Sequence, residues 1–198
     1  MGKLTISKGN KKMGEIKSVS LPPIKTCANN CTCAKKCYAA KLCRIYKNVK
    51  QSYENNFMYY MDSPTKYFEG IKKAAVTQRF FRWHVSGDII NELYLYDMVR
   101  IANELPGTEF LCFTKKYELV NTFANYEDIP KNLHIIFSEW EGMEMYNPHN
   151  FPVAHVIFKG GEPLENWEIC KGNCLECALG GFGCWNLKKG EHVAFYEH

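Results

Sequence analysis

The chain has 198 residues, a length that suits one domain, and 46% of them are apolar against 23% charged. Those proportions exclude a disordered chain and supply enough apolar surface for a real core. No apolar run approaches the roughly eighteen residues that a membrane span requires, so no membrane partner is expected.

The N-terminus, Met1 to Lys8, has no apolar core and no small-residue cleavage site, so it does not read as a secretory signal. Ile6 stands where a myristoylation motif needs Ser or Thr. The expected location is cytoplasmic. In a reducing cytosol the ten cysteines point to metal or redox chemistry rather than to disulfides.

The net charge of +4 hides an asymmetry: residues 1–50 carry +11 and residues 51–198 carry −7. A basic N-terminal quarter suits nucleic acid. It suits an anionic, thiolate-ligated metal centre equally, because nearby cations favour the deprotonated thiol.

In chain order, Glu15 to Leu21 alternates as a short strand that Pro22-Pro23 ends. Residues 27–37 are a cysteine-rich loop. Helical patterns follow over Tyr38 to about Val49 and over Tyr53 to Met61, and Ser63-Pro64-Thr65 caps a helix to about Thr77. Phe80 to Val85 reads as a strand, Ser86-Gly87-Asp88 as a turn, and Ile90 to Glu104 as a helix stopped by Pro106-Gly107. Strands are expected at Phe110–Phe113, Leu133–Phe137, Val153–Phe158 and Val193–Tyr196, with a helix near Tyr117 to Phe123. Alternating strands and helices predict parallel strands with right-handed crossovers. The expected fold is α/β: a partial (β/α) barrel or an open, mostly parallel sheet with cysteine-rich loops holding an iron–sulfur cluster. Residues 1–198 read as a single domain, with an N-terminal cysteine-rich loop over 27–43, an α/β core over about 53–158 and a C-terminal cysteine-rich loop over 170–185.

In such folds chemistry gathers at the carboxyl ends of the strands. Those ends carry Ser86-Gly87-Asp88, Thr114-Lys115-Lys116 and Ser138-Glu139-Trp140. His84, Ser86 and Asp88 share a face by the alternation of a strand, which makes them candidate catalytic groups, with Lys115 as an anion-binding partner. Ser86, Gly87 and Asp88 double as candidate cofactor contacts. Arg82 is expected to pair with an acid in the sheet layer, and His155 and His192 to be structural. There is no nucleophile elbow, no phosphate-binding loop and no dinucleotide fingerprint.

The cysteines form two groups: Cys27, Cys31, Cys33, Cys37 and Cys43, then Cys170, Cys174, Cys177 and Cys184. Cys112 lies alone in an apolar strand and reads as core. Soft thiolates select zinc or iron–sulfur clusters. Structural zinc usually shows two C-x2-C knuckles, and the second group has one. Its wider gaps and its glycines, Gly172, Gly180, Gly181 and Gly183, suit a 4Fe–4S cubane, with zinc as the alternative. Three or four cysteines of the first group would hold a second centre, three of them on a four-iron cluster leaving one iron open; the alternative is one centre shared by both groups, or one structural zinc each.

The C-x3-C-x2-C spacing from Cys170 is also the one used by radical S-adenosylmethionine enzymes, although there it lies near the N-terminus. Lys159-Gly160-Gly161-Glu162-Pro163 reads as a turn.

With these residues in hand, the chain resembles the phage and prophage "gene product 88" family from about Val19 to His198. The marks are Ser20-Leu21-Pro22-Pro23 before Thr26-Cys27, Cys37-Tyr38-Ala39-Ala40, and Phe81-Arg82-Trp83-His84-Val85-Ser86-Gly87-Asp88-Ile89. Phe110-Leu111-Cys112-Phe113-Thr114-Lys115-Lys116, Cys170, Cys174, Cys177 and Gly183-Cys184-Trp185 complete them. The resemblance implies that Cys27, Cys33 and Cys37 are the recurrent N-terminal cysteines, and that Cys31 and Cys43 are additions. Cys-Tyr-Ala and the Ser-Gly-Asp after a strand are similar to radical S-adenosylmethionine-like phage proteins, which implies a partial barrel around a cluster.

The expected function is therefore an iron–sulfur enzyme of redox or radical type, acting on a small-molecule substrate. It would use one or two 4Fe–4S clusters, with S-adenosylmethionine as a candidate cofactor. Two alternatives stand beside it: a non-redox hydrolase or lyase using an open iron as Lewis acid, and a zinc-stapled nucleic-acid-binding protein using the basic N-terminal region.

Overall fold

The protein is described here by a computed structural model covering residues 3–29 and 31–197. Seven strands form its centre: β1 (Lys17–Val19), β2 (Phe80–Trp83), β3 (Glu109–Thr114), β4 (Leu133–Ser138), β5 (Val153–Ile157), β6 (Trp167–Ile169) and β7 (His192–Tyr196). Among the described residues six α-helices accompany them: α1 (Tyr38–Ile45), α2 (Lys47–Asp62), α3 (Pro64–Ala75), α4 (Glu92–Glu104), α5 (Tyr117–Ala124) and α6 (Cys174–Gly180). The strands make one open, all-parallel sheet in the order β1-β2-β3-β4-β5-β7-β6. The parallel sheet expected from the alternation is thus present.

Because β1 to β5 follow one another in space as in sequence, their crossovers all step the same way, and α2 to α5 collect on one face, while α6, in the crossover that steps back from β6 to β7, lies on the other. Alternation sorts the strand residues between the two faces. On the helical face Phe81 and Trp83 of β2, Phe110 and Cys112 of β3, and Ile135 and Phe137 of β4 pack with Tyr67, Phe68 and Ile71 of α3 and Leu95 and Met98 of α4. Cys112 is fully buried there, as a core cysteine should be. On the opposite face Phe80, Leu111, Ile136, Ala154 and Val193 are covered by Met13, Ile16, Cys177, Ala178 and Trp185, so the chain's two ends close what the helices leave open.

That second face is curled. Phe113 of β3 and Phe195 of β7 have β4 and β5 between them, yet their ring centroids are 5.9 Å apart. Strands lie about 4.8 Å apart, so a flat sheet would separate them by roughly 14 Å. The curl brings β6 and β7 round toward β2 and creates the setting of the C-terminal cysteines.

Local chemistry explains most boundaries. Pro64 occupies the first turn of α3, where its missing N–H costs nothing. Asn91 caps α4, its side chain accepting from Tyr94 N at 2.9 Å, so the helix starts at Glu92 rather than Ile90. Three expectations need correction. The helix predicted to run through Val49 breaks at Tyr46, which has extended backbone, and restarts as α2 at Lys47. The first strand shrinks to three residues, since Leu21 N already bonds the loop carbonyl of Ser86 at 2.9 Å. The C-terminal cysteine-rich stretch is not all loop: Asn173 accepts from Leu175 N and Glu176 N and starts α6, and β6 lies before it. No helix among the described residues is long and apolar enough to cross a membrane.

Candidate cysteine centres and the cavity beside them

The chain leaves β1 through Pro22-Pro23 and lays the first cysteine group across the carboxyl ends of the strands. Cys27 Sγ accepts from Ile24 N at 3.3 Å, and Cys37 Sγ accepts from Ala40 N at 3.5 Å as the cap of α1. Between them Thr32 to Lys36 form a short 3-10 turn. Thr32 Oγ1 donates to Glu141 O beyond β4 at 2.7 Å, and Lys36 Nζ reaches Glu197 beyond β7 at 3.2 Å. Tyr38 donates its hydroxyl proton to Val85 O beyond β2.

The thiols differ sharply. Burial pushes Cys27 up to about 11, with Asp88 and the neighbouring thiols Cys31 and Cys37 adding to the rise. The Cys31 and Cys33 thiols are hydrogen-bonded to one another. That bond holds Cys31 well below the ordinary thiol range and raises Cys33, while the Lys115 ammonium favours the thiolate at both. Cys31, discounted on the sequence, thus lies with Cys33. Cys43 lies on α1, where burial and the Cys37 thiol raise its pKa.

Beneath this loop Asp88 ties β2 to β3. Its Oδ1 accepts from Thr114 Oγ1 at 2.6 Å and Ile89 N at 2.7 Å, and its Oδ2 from Lys115 N at 2.9 Å. Burial raises its pKa against those three donors. Gly87 has φ +79, and a Cβ there would lie 2.6 Å from Thr26 Oγ1 and 2.9 Å from Leu21 O, so only glycine fits. Ser86 Oγ is buried and, among the described residues, has no hydrogen-bond partner. Lys115 Nζ donates to Ser138 Oγ at 2.7 Å and lies over the Trp140 ring at 5.6 Å, whereas Lys116 Nζ is used on Ile90 O.

His84 goes elsewhere. Its φ of +53 turns the chain out of strand geometry, so sharing a face with Ser86 no longer applies. The ring enters the aromatic core, with Nε2 3.0 Å from Tyr94 Oη and Nδ1 3.8 Å from Cys112 Sγ. Burial, with the charges of Lys116 and Arg82, pushes its pKa down to about 3.

The second group lies on the curled face. Cys170 follows β6 and its N bonds Ala194 O at 2.9 Å; Cys174 and Cys177 stand one turn apart on α6. Gly183, at φ +67, admits the chain beside Cys177 Sγ, 3.3 Å from where a Cβ would stand, and its N donates to Glu168 Oε1 at 2.9 Å. Burial pushes Cys184 up to about 12, opposed by the Arg82 guanidinium. Burial, Cys170 and Cys174 also raise Cys177.

Arg82 projects from β2 into this group. Nη1 is 4.0 Å from Cys174 Sγ, the guanidinium lies 4.8 Å over the Phe113 ring, and Nε is buried with no partner among the described residues. The acid expected opposite it is not there: among the described residues Arg82 makes no ion pair, and thiols take that place. Among the described residues no three His, Cys, Asp or Glu side chains converge around a point suited to a single metal ion. Thiols are the donors that a soft multi-iron group takes. The four of this group lie close enough that, beyond the effect of burial, Cys170 and Cys174 raise Cys177 and all three raise Cys184, with the half-buried Arg82 beside Cys174 and Cys184.

A cavity of about 340 Å³ opens at the ends of β4 and β5, lined by Glu139, Trp140, Glu141, Gly142, Met143, Val156 and Phe158. Lys115 lies over its Trp140 and Lys36 over its Phe158, so the first cysteine loop borders it. Sequence reading missed what stands behind it. Glu139 is hydrogen-bonded to His155 Nδ1, and His155 Nε2 is 2.9 Å from His192 Nδ1. Trp167 stacks on His155 at 3.9 Å and 7°. The available signal was a histidine inside the apolar run Val153–Phe158, which needs a partner once buried.

The chain belongs to the gene product 88 family: the family model matches residues 2–192. No curated protein and no solved structure matches it.

Proposed function

We propose that this gene product 88 protein is an iron–sulfur enzyme. Cys170, Cys174, Cys177 and Cys184 would hold one 4Fe–4S cluster, and Cys27, Cys33 and Cys37 would contribute to a second, with Cys31 beside them. The observation that carries the reading is Arg82, whose guanidinium stands 4.0 Å from Cys174 Sγ and opposes the rise of Cys184, with its Nε buried and, among the described residues, no partner for that Nε and no ion pair. A half-buried guanidinium beside thiols favours their deprotonated form, as it does at Cys184. Ligation turns the thiols into thiolates and sets negative charge beside that cation.

When bound, such a cluster supplies a reducible centre, and one held by three thiolates leaves an iron open. The chain's own residues do the rest. The 3-10 turn over Thr32–Lys36 closes one side of the β4–β5 cavity, and Trp140 and Phe158 wall it. Lys115 presents an ammonium to that cavity and to the Cys31–Cys33 pair, which suits an anionic substrate group. Asp88 has all its bonds committed to Thr114, Ile89 and Lys115, so it orients the β2 and β3 ends. Ser86 and Gly87 are closed off by packing, since Ser86 Oγ is buried and Leu21 and Thr26 fill the space beside Gly87, so S-adenosylmethionine, our candidate cofactor, would have to be met by other groups at the strand ends. His84 supports the end of β2 from inside the core.

The test is iron, acid-labile sulfide and zinc per chain, with an absorption spectrum, on anaerobically purified protein. About four irons with equal sulfide support one cluster and about eight support two. A colourless protein carrying one or two zincs overturns the reading and favours a zinc-stapled protein. Turnover that persists without reductant would move the reaction to the Lewis-acid class.

A further inference from the structure

The geometry points to a proton relay, Glu139–His155–His192, that exchanges one proton between solvent and the β4–β5 cavity, with Glu139 as the acid–base group of that cavity. Three observations on separate strands meet here. Glu139 lines the cavity, and its side chain is 47% exposed, so its carboxylate can reach an occupant. Both nitrogens of His155 are engaged, Nδ1 with Glu139 and Nε2 with His192, while the residue itself is buried. His192 is half-buried, and among the described residues only its Nδ1 is seen to have a hydrogen-bond partner.

Register builds the line. Ser138 pairs Ala154, which sets Glu139 beside His155, and Val153 pairs His192, which sets the two imidazoles side by side on the same face of the sheet. Trp167, stacked flat on His155, fixes the ring plane and keeps water off it. A carboxylate held by one imidazole would suffice as a structural contact. A second imidazole in series, open to solvent at its far nitrogen, is what conduction requires.

The proton count closes. In the resting chain His155 donates from Nδ1–H to the Glu139 carboxylate, and His192 donates from Nδ1–H to His155 Nε2. A proton from water adds to His192 Nε2. His192 then passes its Nδ1 proton to His155 Nε2, His155 passes its Nδ1 proton to Glu139, and Glu139 passes it to the substrate. No charge stays on the chain, but both imidazoles end as the other tautomer. A proton returned from the substrate through Glu139 resets them without ring rotation. The relay therefore suits a substrate group that is protonated at one step and deprotonated at another, such as a carbonyl oxygen or an amine. It rests on side chains alone and stands or falls apart from any cluster.

The experiment is ring ¹⁵N–¹H exchange at His155, measured by NMR on the whole ¹⁵N-labelled protein. The relay requires the His155 ring proton to exchange with water much faster than the backbone amides of β5 around it. His192→Phe should slow it about tenfold or more with the fold retained, a change that a merely structural histidine would not produce. The double variant His192→Phe, Glu139→Gln should slow it further, since it closes the cavity end as well. A ring proton as protected in the wild type as those amides, or one indifferent to both substitutions, overturns the relay. The wild-type measurement decides even if a variant fails to fold.

Discussion

Acid should destabilise this protein through His84, and the size of the effect follows from its surroundings. The residue is 3% exposed, Nε2 is bonded to Tyr94 Oη at 3.0 Å, and Tyr94 Oη in turn lies 2.8 Å from Tyr67 Oη. Burial, then Lys116 and Arg82, push the pKa from 6.5 to about 3. In the folded state the ring stays neutral above pH 3, while in the unfolded chain it takes a proton below 6.5. Between those values the unfolded state binds more protons, so stability present above pH 6.5 is lost as the pH falls. At about 1.4 kcal/mol per pH unit the loss by pH 5 is roughly 2 kcal/mol, a large share of the 5–15 kcal/mol typical of a domain. Asp88 works the other way, because its raised pKa favours the folded state on acidification. The comparison that isolates His84 is therefore urea unfolding of the wild type and His84→Gln at pH 7 and pH 5, with glutamine able to keep a bond to Tyr94. The wild type should lose about 2 kcal/mol more than the variant over that range. Equal losses, or a His84 ring that titrates near 6.5 by NMR, would refute the account.

Asp88→Ala leaves the Thr114 hydroxyl and the Ile89 and Lys115 amides without their acceptor, and should cost about 3–5 kcal/mol by denaturant titration. A cost below about 1 kcal/mol would mean the latch is loose. Gly87→Ala forces a Cβ against Leu21 O and Thr26 Oγ1 at positive φ, and should lower stability by roughly 2–4 kcal/mol. Arg82→Leu should change the stability of the metal-free protein by less than about 1 kcal/mol, because Arg82 is half-buried and makes no ion pair among the described residues. On the cluster reading the same change should cut iron retained after anaerobic purification, and unchanged iron would detach Arg82 from the centre.

The long strands were legible because each is an apolar run too short for a helix and bounded by turn residues, as at Phe110–Phe113 before Thr114 and after Pro106-Gly107. β6 was not, because three residues with a glutamate in the middle carry no period. The break at Tyr46 has no Gly or Pro to mark it. At the site, spacing found both cysteine groups but could not tell which thiols touch. Cys31 meets Cys33 because a 3-10 turn begins between them, and spacing does not encode that. His84 was placed with Ser86 and Asp88 on the assumption that the strand continues, and a positive φ at His84 ends it. The Glu139–His155–His192 line joins residues 16 and 37 positions apart, and only the register of three parallel strands brings them together.

The two groups of thiols sit in different electrostatic settings, and that difference is measurable before any metal is added. Cys31 shares a hydrogen bond with Cys33 under the Lys115 ammonium, at a loop that borders a cavity. Cys184 is driven to about 12 by burial, and Arg82 recovers only part of the cost. Alkylation needs the thiolate, so at pH 7 a thiol at 12 offers about a thousandfold less of it than one at the ordinary 9. A more basic thiolate is more nucleophilic, which returns about thirtyfold of that deficit. Cys31 should therefore label with iodoacetamide at least about tenfold faster than Cys184 in metal-free folded protein, mapped by peptide mass spectrometry over time. Raising the pH to 9 should speed Cys184 and leave Cys31 nearly unchanged, because Cys31 is already ionised at 7. Equal rates at pH 7 would show that neither the Lys115 ammonium nor burial sorts these thiols. The assignment of the N-terminal group to the reactive side and the C-terminal group to the closed one would then lose its physical ground.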